Sequence, residues 1–73
     1  MRRLPALKYR DVVACLRRRG FVYLRLGNGS HEFWINRQTG KVTMVPCHPG
    51  DIPRGTLRAI IAQAGLEVDE FLK

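Results

Sequence analysis

His31 and His48, with Cys15 and Cys47, are the residues of this chain with the widest chemical repertoire, and their spacing limits what they can do. His31 closes the stretch Gly27-Asn28-Gly29-Ser30-His31, where a glycine-rich turn meets the strand-like run "HEFWIN". An imidazole titrates near neutrality, so His31 is a candidate general acid or general base. The competing reading is a polar residue at a strand end with no chemistry. Cys15, His31, Cys47 and His48 are numerous enough to ligate a metal, but no close-spaced Cys or His pair of the kind that builds structural zinc sites is present. Cys47 and His48 are sequence neighbours, so their side chains diverge, and no Asn or Asp is evident as the supporting third member of a Cys–His hydrolase. Both cysteines read as free thiols in a reducing compartment, and no metal or cofactor is expected.

Charge supplies the second constraint. Thirteen Lys and Arg face six Asp and Glu, a formal net charge of +7 on 73 residues, which is a single domain over 1–73. Such a field favours polyanionic partners, nucleic acid first. RNA carries its own nucleophile, the 2′-hydroxyl. A protein that cleaves it must position the strand, move protons and stabilise charge on the phosphorane, and a basic surface with one accessible histidine meets that minimum. The glycines at Gly27 and Gly29 let a phosphate backbone come close. Arg25, Lys41 and Arg54 are the candidates for holding phosphates; for any one of them the alternative is a solvated surface charge. Arg17, Arg18 and Arg19 end a helix, where they complement its dipole. The apolar runs are far shorter than the ~20 residues of a membrane span. Pro5 and Lys8 interrupt any secretory signal, so a cytoplasmic protein without a membrane partner is expected.

The elements that must present these residues follow from periodicity. Val12, Val13 and Leu16, with Cys15, have helical spacing over 9–19. "FVYLRL" alternates Val22, Leu24 and Leu26 with Phe21, Tyr23 and Arg25, and "GNGS" turns it into "HEFWIN" as an antiparallel hairpin. "VTMVP" is a third strand, ended by Pro46. Asp51 is the expected cap of a second helix that starts near Pro53, buries Leu57, Ile60, Ile61 and Ala64, and stops at Gly65. A last helical turn carries Val68, Phe71 and Leu72. The fold class is α+β in the order α-β-β-β-α, a three-stranded antiparallel sheet with both helices on one face. The aliphatic side of the first strand is expected against Val12, Leu16, Leu57 and Ile61, leaving Tyr23, Arg25 and Trp34 partly exposed on the other. This is the architecture of double-stranded-RNA-binding domains, an analogy of fold that assigns no function.

Five segments in register resemble the HicA family of toxins from toxin–antitoxin systems: Arg19-Gly20-Phe21, Gly29-Ser30-His31, Val45-Pro46-Cys47-His48, Gly55 to Ile60 with Gln63 to Leu66, and Glu70-Phe71-Leu72. The resemblance implies a metal-independent mRNA interferase of a type II system, an endoribonuclease that inhibits translation and growth. It implies that His31 is the general acid/base, that Gly29 and Ser30 shape the turn presenting it, and that a HicB-type antitoxin blocks the site. His48 falls on the second signature; it is given no catalytic role and is expected to contact RNA, the antitoxin or the nearby turn. Many family members carry Lys or Arg close before Gly-Ser-His; here that stretch is Gly27-Asn28-Gly29, and Arg25 is the nearest cation. The alternative is a non-catalytic RNA-binding module of the same fold.

Overall fold

The computed structural model describes residues 3–73, ordered α1 (Tyr9–Arg18), β1 (Phe21–Leu26), β2 (His31–Asn36), β3 (Val42–Pro46), α2 (Arg54–Gln63) and α3 (Val68–Leu72). The strands form one antiparallel sheet in the order β1-β2-β3, and the helices pack on it, as the α+β reading expects. α1 is helical because Val12, Val13, Cys15 and Leu16 share one side and are all buried. Its free N-terminal donors are partly met by Asp11, whose carboxylate accepts from the Lys8 backbone N–H at 2.9 Å. The core joins Phe21 and Trp34 from the sheet to Leu16 of α1, Leu57 and Ile60 of α2, and Phe71 of α3.

The faces of the sheet differ from expectation. Trp34 is 1% exposed, while Val22 and Leu26 are 48% and 57% exposed. Trp34 carries more apolar surface than any aliphatic residue here, and burying it strands no donor: its indole N–H reaches Glu32 Oε1 at 3.1 Å. Tyr23 packs edge-on against the Trp34 ring at 6.0 Å, on the same side of the sheet. A β-bulge breaks the alternation of β1, since Tyr23 pairs with Trp34 but Arg25 pairs with Phe33. The bulge puts Arg25 on the open face, beside Phe33 and Met44.

Asp51 does not cap α2. Pro53 takes the cap position, with no side-chain hydrogen bond. Asp51 instead pairs with Lys8 Nζ at 3.2 Å, and Ile52 N–H donates to the Leu7 carbonyl at 2.8 Å, so the loop before α2 is tied to the segment before α1. α2 is locked to β3 by the buried Thr43, which donates to the Ile60 carbonyl at 2.9 Å. Gln63 Oε1 also accepts the Met44 backbone N–H at 3.2 Å, which occupies a donor on an otherwise open strand edge.

Candidate active site

The turn before β2 is built around two glycines. A Cβ on Gly27 would stand 2.6 Å from a Phe33 ring carbon, and Gly29 has φ +61°, a left-handed conformation that side chains resist. Gly27 N–H donates to the His31 carbonyl at 2.7 Å and His31 N–H to the Asn28 carbonyl at 3.3 Å. The Ser30 carbonyl accepts from Cys47 N–H at 2.8 Å. The backbone around His31 is therefore held from both sides. Its ring is exposed and, among the described residues, makes no side-chain hydrogen bond.

His31 borders two concavities of about 360 Å³ each, within the size range of small-ligand sites. One lies on the open face of the sheet and is walled by Arg25, Asn28, Phe33 and Met44. The other runs between the end of β3 and α2, walled by Met44, Pro46, His48, Thr56 and Gln63. A larger hollow of about 540 Å³ opens between α2 and α3, walled by Arg58, Leu66 and Val68, and none of the sequence-predicted residues lies there. Size alone would select that hollow; the residue types that move protons select the pair beside His31.

The fold brings Arg25, Gly29, Ser30, His31 and His48 to one end of the sheet. Arg25 lies with its guanidinium 4.3 Å over the Phe33 ring, which restricts its rotamers and aims it along the open face. His48 is half-buried, with Nδ1 2.7 Å from the Pro49 carbonyl. Arg54 opens α2 on the same rim, exposed, between the wall residues Pro53 and Thr56. Lys41 is not brought to this place. It precedes β3 at the opposite end of β2, its methylenes against Gly65, five strand steps or roughly 17 Å from His31. Cys15 is buried and Cys47 exposed, both as free thiols, and among the described residues no three His, Cys, Asp or Glu side chains gather into one cluster.

Beneath His31, on the helix side of the sheet, Glu32 anchors the start of β2. Its Oε1 accepts from Tyr9 Oη at 2.6 Å as well as from Trp34. Burial, then the hydrogen bond and charge of Glu32, push the Tyr9 phenol up to about 12. Glu32 adjoins His31 in sequence yet points away from it, so it is no proton partner for that ring. Phe33, Met44, Thr56 and Gln63 belong to the site without having stood out in the sequence. Met44 was findable from strand pairing opposite Phe33; Thr56 and Gln63 carry no local signal, because only the docking of α2 places them.

Residues 9–66 match the protein family described as HicA toxin of bacterial toxin-antitoxin. That span runs from the start of α1 to just past α2 and contains every residue of the site. No curated protein matches the chain significantly.

Proposed function

The chain belongs to the HicA toxin family, and from that premise we propose that it is an endoribonuclease that cleaves mRNA with His31 as proton-transfer residue. The observation that carries this reading is the state of His31: a pinned backbone, an exposed ring and two adjoining grooves. The 2′-hydroxyl of the substrate attacks the adjacent phosphorus, and His31 moves a proton in that step. Arg25, fixed over Phe33, is placed to take the charge that builds on the phosphoryl oxygens. Gly29 and Ser30 leave the rim low enough for a phosphate backbone to reach the ring. Arg54 and the uncapped start of α2 extend the positive rim, while Lys41 serves a strand leaving along β2. This chemistry calls for no metal, because the nucleophile belongs to RNA and the protons belong to imidazole.

A toxin of this family implies an antitoxin. A HicB-type protein that covers His31 or the path beside it would silence the site, and the +7 charge would speed its encounter with an acidic surface. Among the described residues no helix is long and apolar enough to cross a membrane. The test is product analysis on single-stranded RNA in excess EDTA. Ends carrying a 2′,3′-cyclic phosphate and a 5′-hydroxyl support the mechanism. Tight, salt-sensitive binding without any cleavage supports the non-catalytic module instead.

A further inference from the structure

His31 alone leaves the reaction one group short. Cleavage by the 2′-hydroxyl needs a proton taken from that oxygen and another delivered to the departing 5′-oxygen, on opposite sides of the phosphorus. We infer that His48 is the second proton-transfer residue, taking the proton from the 2′-hydroxyl while protonated His31 serves the leaving group; this rests on the ribonuclease reading above.

Three observations place it there. His31 and His48 wall the same groove between β3 and α2. Their relation is set by the sheet: His31 pairs with Pro46, the ladder continues through Cys47 N–H to the Ser30 carbonyl, and His48 stands two residues beyond Pro46. His48 lies just past the end of β3, and a phosphate in the shared groove would have both rings along its walls. Third, the ring of His48 has a defined tautomer. Its Nδ1 lies 2.7 Å from the Pro49 carbonyl, and a carbonyl only accepts, so Nδ1 carries the proton. In the neutral ring Nε2 is then the bare nitrogen, ready to accept.

The electron count closes without another reactant. Nε2 of His48 takes the 2′-hydroxyl proton, the 2′-oxygen forms its bond to phosphorus, and the bond from phosphorus to the 5′-oxygen breaks as that oxygen takes the His31 proton. The products are a 2′,3′-cyclic phosphate and a 5′-hydroxyl, and exchange with water restores both rings. From β2 the titratable group facing His48 is His31; from α2 the groove presents Thr56 and Gln63, which do not titrate, with Arg54 on the rim. In the adjoining loop Asp51 is engaged by Lys8, and Cys47 is exposed.

His48→Asn is the discriminating variant, because its amide N–H can still donate to Pro49 while Nε2 is gone. The expected result is a loss of about 10²–10⁴-fold in kcat, a far smaller change in RNA affinity, unchanged Tm, and a bell-shaped pH–rate profile stripped of its acidic limb. An RNA with one 5′-thio linkage, whose thiolate leaves without a proton, sharpens the assignment. It should restore most of the rate to His31→Ala and none to His48→Asn. Cleavage by His48→Asn near the parent rate, with both limbs of the profile intact, overturns this inference alone. Equal rescue of both variants overturns the division of roles. No cleavage by the unaltered protein overturns the ribonuclease reading and this inference with it.

Discussion

The two ends of β2 carry polar side chains at turns, and the fold treats them in opposite ways. At one end Asn36 is buried and its amide makes three hydrogen bonds. Its Nδ2 donates to the Arg19 carbonyl at 3.0 Å, and its Oδ1 accepts from Gln38 N–H at 2.9 Å and Thr39 N–H at 3.2 Å. At the other end His31 has its backbone held and its ring left free. A structural polar residue uses its hydrogen-bonding capacity inside the protein, since an unmade buried bond is expensive. A residue kept for chemistry keeps that capacity for the substrate. On the proposed function His31 belongs to the second class and Asn36 to the first.

Each substitution below tests that contrast. Asn36→Ala strips three partners at once and should cost about 2–3 kcal/mol, a large share of the roughly 4–11 kcal/mol available to a domain of this size. Urea denaturation reads it directly, and cleavage by the fraction that stays folded should be normal. Gly27→Ala forces a Cβ against Phe33 and should cost about 1–2 kcal/mol; here stability and cleavage should fall together, because the same turn presents His31. Arg25→Gln should leave Tm alone and flatten the slope of log Kd against log salt by about 0.7, one phosphate on a single strand. Lys41→Gln, at the Asn36 end, should lower the cleavage rate less than Arg25→Gln does.

At Tyr9 the effect depends on pH. At neutral pH Tyr9→Phe should cost about 1.5 kcal/mol, the loss of one hydrogen bond to a carboxylate. The phenol has its folded pKa raised to about 12 from an ordinary value near 10, so the fold favours its protonated form. That contribution is complete below pH 10 and is lost as pH rises from 10 through about 12. The stability gap between the parent and Tyr9→Phe should therefore close across that window. A gap that stays constant to pH 12 would mean that Tyr9 is not coupled to Glu32.

Much of this was legible in the chain. The strand bounds follow from alternation between glycine turns, and Leu57, Ile60, Ile61 and Ala64 read directly as the buried stripe of α2. The sheet faces did not follow, because the bulge at Leu24 needs no special residue and because Trp34 outweighs the aliphatics in the contest for the core. Asp51 looked like a helix cap since acid–Pro–Gly neighbourhoods usually are; a long-range ion pair to Lys8, 43 residues away, claimed it instead. Of the site, the residues with chemical character were visible in advance. Thr56 and Gln63, which complete the groove, have ordinary side chains whose position depends on how α2 docks. The tautomer of His48 is set by the carbonyl one residue on, a geometry that spacing does not reveal.

On the proposed function the free ring of His31 does chemistry and holds nothing together. The most direct measurement compares the parent and His31→Ala for three quantities in one preparation: Tm, affinity for a single-stranded RNA, and the rate of its cleavage. Tm and affinity should be unchanged and cleavage reduced by about 10²-fold or more. Cleavage that persists near the parent rate would remove His31 from the chemistry, and a Tm that drops with cleavage would put it in the structural class of Asn36.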